Sequence, residues 1–268
     1  GNFFSNTRFF GNTKDHFLIY FLNALNYSLI LEHIKKVIRN FLKMQPQNVQ
    51  ELLKAEEKAF HLFDVAEKRG LIVAEKTEKQ LNEELYALAF ELFGIRKFWH
   101  KRIVRAGKNT MHPYKENPPD LVIQNDDILF FDFGPVFEDW EADVGRTYVI
   151  GRDPLKHKLK ADIEAAWKES RDWFFTHTSI TGAEYYQYNV NLATKYGWTF
   201  GGDIAGHLIG NFPHEIIESE SKDNYIHLDN QKDMFAPGVL GTKREWILEI
   251  HFVDVDKQIG GFVEQLLV

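Results

Sequence analysis

Apolar positions along the chain recur first with a helical period and then with a strand period. Between Asn48 and Arg69, Leu52, Leu53, Ala59, Phe60, Phe63 and Ala66 share one helical face, Glu51, Lys54, Glu57, Lys58 and Lys68 fall on polar positions, and Gly70 suits the end. Thr77 with Gln80 three residues on has capping-box spacing, and Leu81, Leu85, Leu88, Ala89 and Leu92 form a stripe that Gly94 closes. The pattern then changes. Leu121 to Ile123, Ile128 to Phe133 and Val144 to Ile150 are aliphatic and aromatic runs between charged turns, which predicts strands. After Pro154 the helical period returns with Leu159, Ile163, Ala166, Trp167 and Phe174, and a further helix begins at the Thr181/Glu184 capping pair and stops at Gly197. Trp246 to Val255 and Phe262 to Val268 read as closing strands, with Gly260 and Gly261 between them. Two helix-then-strand blocks predict one α+β domain over residues 50–268 whose halves resemble each other in shape. Residues 1–49 are expected to form a helical extension that does not fold independently.

Composition narrows the class. An apolar fraction of 44% with 23 phenylalanines is that of a packed globule, not of a disordered chain. The absence of cysteine excludes a disulfide framework, a thiolate zinc site and a thiol nucleophile. A formal charge of −7 disfavours nucleic acid as a partner. The greasiest early stretch, Phe17 to Leu31, is interrupted by Asn23, Asn26 and Ser28 and is too short to cross a bilayer core of about 30 Å. With no export signal at its start, the expected setting is cytoplasmic, away from the membrane.

Candidate chemistry lies where carboxylates interrupt apolar segments. Asp132 sits inside Ile128 to Gly134, Glu249 inside Trp246 to Val253, and Glu264 inside Gly260 to Leu267. A buried carboxylate is costly unless a metal, a proton or a partner offsets its charge, so three such cases argue for a common cause. Asp143 lies eleven positions after Asp132, a spacing that lets adjacent strands bring the two together. His207, between Gly206 and Gly210, adds an imidazole. Four carboxylates and one imidazole form a donor set suited to two neighbouring divalent cations, the alternative being an ion-pair network.

The segments Phe131 to Gly134, Ala142 to Thr147, Gly206 to Gly210, Pro213 to Glu215, Glu249 and Phe262 to Gln265 resemble, in this order, the metallopeptidase family that includes methionine aminopeptidase, aminopeptidase P, prolidase and creatinase. The resemblance runs over roughly residues 50–268. It implies the pita-bread fold, with two pseudo-symmetric halves around a metal site. It implies that Asp132, Asp143, His207, Glu249 and Glu264 hold two divalent ions of manganese, cobalt, zinc or iron, with Asp143 and Glu264 bridging. It further implies hydrolysis of an amide bond near a peptide amino terminus, as in an Xaa-Pro aminopeptidase or dipeptidase. Metal-activated hydroxide would attack, Glu249 would accept its proton, and His214 would hold the carbonyl or intermediate.

Met111 to Asn117 resembles the family's upstream histidine segment, which makes His112 the first choice for a second substrate-contacting imidazole. His100 is a supporting position that a loop histidine packed beside Trp99 explains equally well. Arg146 is expected either to order the carboxylates around Asp143 or to form a surface salt bridge. One departure concerns Glu249, which is followed by Ile250 where many relatives have proline; this leaves the subclass open. The partners implied are a peptide substrate and a second copy of the chain in a homodimer, and the organisation expected is a lone catalytic domain. Two other readings compete: a catalytically silent peptide-binding or protein-interaction domain, and a creatinase-like small-molecule hydrolase.

Overall fold

The computed structural model describes residues 46–212, 222–238 and 241–268. The apolar stretch Phe17 to Leu31, His214 and nearly all of the expected extension 1–49 lie outside the described residues.

Helix α1 (Gln47–Lys68) and helix α2 (Glu78–Phe93) follow the expected periods. Thr77 and Gln80 complete the capping box of α2, and Gly94 ends it in the left-handed conformation that glycine adopts without steric cost. Next come β1 (Ile103–Ala106), a 3-10 turn (Gly107–Met111), β2 (Ile128–Phe133), the short pair β3 (Val136–Phe137) and β4 (Trp140–Glu141), and β5 (Val144–Val149). Helix α3 (Pro154–Phe174) starts at the Asp153 cap with proline in its first turn; helix α4 (Gly182–Tyr196) has the Thr181/Glu184 box and the Gly197 stop. Short β6 (Thr199–Phe200) and β7 (Leu208–Ile209) precede the long antiparallel pair β8 (Glu245–Asp254) and β9 (Ile259–Leu266).

One sheet runs β1-β2-β5-β9-β8-β6, with β7 also pairing β8. Strand alternation splits its two faces. In β2, Leu129, Phe131 and Phe133 join a core with Ala59, Leu62 and Phe63 of α1 and Leu81, Leu85 and Leu88 of α2. In β8, Leu248, Ile250 and Phe252 join a second core with Leu159, Ile163 and Trp167 of α3 and Tyr185 and Leu192 of α4. Each half of the sheet is thus backed by its own helix pair, which is the expected twofold likeness in shape. At roughly 2 kcal/mol per fully buried large apolar side chain, this packing commits the opposite face to whatever remains. No helix among the described residues is long and apolar enough to cross a membrane.

Two expectations change. Leu121 to Ile123 forms no strand of its own; it makes a single bridge, Thr77 to Val122, because its backbone groups are taken by residues 75–78 at the start of α2. Gly260 and Gly261 lie within β9, not between the two closing strands. A β-carbon on Gly260 would stand 2.3 Å from the Thr110 carbonyl oxygen, and one on Gly261 2.3 Å from Leu159 Cδ2. The pair admits the 3-10 turn on one face of the strand and α3 on the other.

Candidate functional site

The face turned away from the helices carries the chemistry. Pairing sets Ile103 opposite Asp132, Asp132 opposite Gly145, Gly145 opposite Glu264, and Glu264 opposite Glu249. Directly paired residues share a face, so Asp132, Glu264 and Glu249, from β2, β9 and β8, form one row across the sheet. Gly145 opens the middle of that row: a β-carbon there would meet Phe262 Cδ1 at 2.6 Å and Glu264 Cβ at 2.9 Å. Asp143 immediately precedes β5.

Two imidazoles enter from loops. His207 follows Gly206, whose φ of +138° and approach to the Ile247 carbonyl leave no room for a side chain. His207 Nδ1 faces the Leu208 carbonyl at 2.8 Å, and its Nε2 lies 3.0 Å from Asp143 Oδ2 and 3.6 Å from Glu264 Oε1. His100 repeats the arrangement: Nδ1 faces the Lys101 carbonyl at 2.7 Å, while Nε2 lies 2.9 Å from Asp143 Oδ1 and 3.7 Å from Asp132 Oδ1. In both, the carbonyl engages Nδ1–H and aims Nε2 at carboxylates. The neighbouring Trp99 indole donates to the Ala142 carbonyl at 2.9 Å, tying the His100 segment to that of Asp143.

Asp132, Asp143 and Glu264 are buried, Glu249 is partly buried with Oε1 enclosed, and the electrostatics follow from that. Desolvation, reinforced by Asp143, pushes Asp132 up to about 7 against the charges of His100 and Arg105. Desolvation, with Asp132 and Asp143, pushes Glu249 up to about 8. Glu264 rises well above the carboxylate range for the same reason. Burial would also raise Asp143, but His100 and His207 overcome it and hold Asp143 below the usual range. Burial opposes charge on His100, yet Asp143 and Asp132 lift it to about 9; His207 is lifted by Asp143 and Glu264 in the same way.

These residues could hold metal. His100, Asp132 and Asp143 form one set of donor atoms within 4.8 Å of one another, and Asp143, His207 and Glu264 form another, with Asp143 shared. Glu249 stands outside both sets, but its Oε1 and Glu264 Oε2 are buried with no hydrogen-bond partner among the described residues. Unsatisfied carboxylate oxygens in a buried, acid-rich cluster are what bound cations would satisfy.

The cluster floors a cleft of about 420 Å³ that His112, Pro113 and Tyr114 also line. Ile103, Phe130 and Phe262 give it an apolar wall. The structure therefore brings together Asp132, Asp143, His207, Glu249 and Glu264, places His100 among them, and sets His112 at the rim, its side chain 38% exposed against 7% for His100. Packing beside Trp99 does not move His100 aside from the site; it holds His100 against Asp143 and Asp132, while His112 lines the cleft from its rim. Arg146 takes the second of its two expected roles: Nη1 binds Asp64 at 2.6 Å and the guanidinium lies over Phe60, so it orders no site carboxylate. Being next to Gly145 in β5, its side chain points to the opposite face. Arg105 and His251 also line the cleft, and sequence reasoning passed over both. A charged residue in the apolar run Ile103 to Ala106 was the available signal for Arg105.

Solved structures share this fold. The chain superposes on an X-Pro aminopeptidase of Thermotoga maritima with a TM-score of 0.65 at 18% identity, over 87% of this chain and 64% of that one. For a dipeptidase, PepE, of Mycobacterium ulcerans the TM-score is 0.64 at 20% identity, over 83% and 55%. A Mycoplasma pneumoniae protein named "Putative Xaa-Pro aminopeptidase" is 26% identical over 140 residues, which are 51% of this chain and 39% of that protein. The chain thus matches well under two thirds of that relative's length. Residues 47–240 match the sequence pattern of metallopeptidase family M24. With that match extending over most of its length, and with the pita-bread α+β fold in place around the acidic cleft, the chain belongs to metallopeptidase family M24.

Proposed function

We propose that this domain is a metal-dependent peptidase that hydrolyses an amide bond near a peptide's amino terminus. Asp132, Asp143, His207, Glu249 and Glu264 would hold two divalent cations, with His100 closing the group. The observation that carries this is the pair of donor sets sharing Asp143, beside carboxylate oxygens left unsatisfied in a buried cleft. When bound, the cations supply Lewis acidity, which lowers the pKa of water and stabilises charge on a carbonyl oxygen. The chain does the rest. Glu249 offers a buried, unpartnered Oε1 at which a proton can be held during attack. His112, at the rim, can donate to the substrate, and Phe130 and Phe262 exclude water beside the reacting bond. On the resemblance, His214 would hold the carbonyl or the intermediate.

The apolar wall favours a peptide side chain over a small polar molecule of the creatine kind, and the buried carboxylate oxygens of Glu249 and Glu264 weigh against a silent binding domain, which would leave them without a hydrogen-bond partner. The Xaa-Pro preference, manganese as the working ion, the homodimer and the cytoplasmic setting belong to this proposal on the resemblance and the sequence reading. Metal-free and separately reconstituted protein should be incubated with unblocked Met-terminated, Xaa-Pro and ordinary peptide libraries, with product masses as the readout and bound metal counted in parallel. Cleavage by the loaded form is expected. Folded, metal-loaded protein that leaves every library intact would overturn the assignment.

A further inference from the structure

Arg105 is 4% exposed in β1, opposite Phe130 and on the cleft side of the sheet. A buried guanidinium ordinarily faces a carboxylate. This one donates to backbone instead: Nη1 to the carbonyls of His112 and, at 3.0 Å, Pro113; Nη2 to that of Glu116 at 2.8 Å. The receiving segment is otherwise lightly held, since residues 114–117 are exposed and its ring contacts are those of Tyr114 with His100, edge-on at 5.6 Å, and with Lys101 Nζ. Polar ties reinforce the clamp: Lys101 Nζ reaches the Glu116 carbonyl at 3.2 Å and Asn117 Oδ1 at 3.0 Å. From the position so fixed, the Glu116 carboxylate meets His112 Nδ1 at 2.5 Å. With Nδ1 engaged, the nitrogen His112 has left for a ligand in the cleft is Nε2.

We propose that Arg105 and Glu116 are positioning residues for His112: the buried guanidinium clamps the 112–116 segment through three carbonyls, and the clamped Glu116 orients the imidazole toward substrate. The chain of contacts runs from a rigid strand to a ring at the cleft rim, and each link is a charged group on a hydrogen-bonding partner, the stronger kind of bond. Lysine would keep the charge at position 105 but cannot span three carbonyls as the planar fork does. The proposal rests on the peptidase reading for its kinetic consequence, and on geometry alone for the clamp.

The test uses metal-reconstituted full chain carrying Glu116→Ala, Arg105→Lys, His112→Ala and the double change H112A/E116A. Removing a general acid or base costs about 100-fold or more, and loosening its orientation about tenfold. Glu116→Ala and Arg105→Lys should therefore each lower kcat about tenfold with KM nearly unchanged, and H112A/E116A should be no slower than H112A. Losses that multiply in the double variant, or an Arg105→Lys enzyme equal to wild type, would overturn the proposal. Because the Glu116 side chain is 54% exposed, its variant keeps the test decisive even if the Arg105 variant fails to fold. Hydrogen exchange gives a readout free of activity: Arg105→Lys should speed exchange of the 112–117 amides about tenfold and leave β2 unchanged. An unchanged rate sinks the clamp, whereas a wild-type chain inactive on every peptide sinks only the peptidase reading.

Discussion

Withdrawing the cations should make the protein lose stability as pH rises. Glu249 titrates at about 8 in the fold against an ordinary 4.5, and Asp132 at about 7 against 3.8. Between the ordinary and folded values each group holds a proton in the native chain that it has released in the unfolded one, so stability falls as pH climbs through that window. His100, lifted from 6.5 to about 9, acts in the same direction: its contribution is complete below 6.5 and gone above about 9. Asp143, held low, matters only in acid, where its contribution disappears as pH falls. At 1.36 kcal/mol per unit, Glu249 alone corresponds to about 5 kcal/mol and Asp132 to about 4 kcal/mol. A proton on either relieves the other, so the expected drop for the pair is on the order of 5 kcal/mol, not the sum. Cations compete with those protons and bind better as pH rises, so the loaded protein should show a flat or rising profile. Urea unfolding of chelated and manganese-loaded protein at about pH 5.5, 7 and 8.5 measures both curves. Chelated protein whose stability stays level or climbs over that range would refute the account of the buried carboxylates.

Two further contrasts follow from geometry. Gly260→Ala drives a β-carbon against a backbone oxygen that cannot step aside and should cost about 3 kcal/mol, whereas Gly261→Ala meets the movable end of Leu159 and should cost about 1 kcal/mol; urea midpoints in the opposite order would count against the packing. Arg146→Met removes a half-exposed pair and should cost at most about 1 kcal/mol with metal content intact, while His100→Gln should weaken metal binding about tenfold; titration calorimetry showing the reverse would reassign both residues.

What the sequence determined by itself is local and periodic. The spacing of Leu81, Leu85 and Leu88, the Thr77 and Thr181 caps and the Gly94 and Gly197 stops specify α2 and α4, because capping and amphipathic periodicity depend on residues within a few positions of one another. The cost of a charge in an apolar strand marked Asp132, Glu249 and Glu264 as residues needing compensation, and the ordered resemblance supplied their common purpose. Tertiary structure decided what depends on pairing between distant strands. Register alone sets Asp132, Gly145, Glu264 and Glu249 in one row, and a slip of one residue would turn each of them toward the helices. The same register sends Arg146 away from the site. His100 joins the cluster through Trp99 and Ala142, 43 positions apart, and Arg105 acts through carbonyls, which no side-chain pattern records. Gly260 and Gly261 fall between strands when read in one dimension because glycine adds no side chain to a strand pattern; here close approach from both faces of a strand is the reason they are glycine.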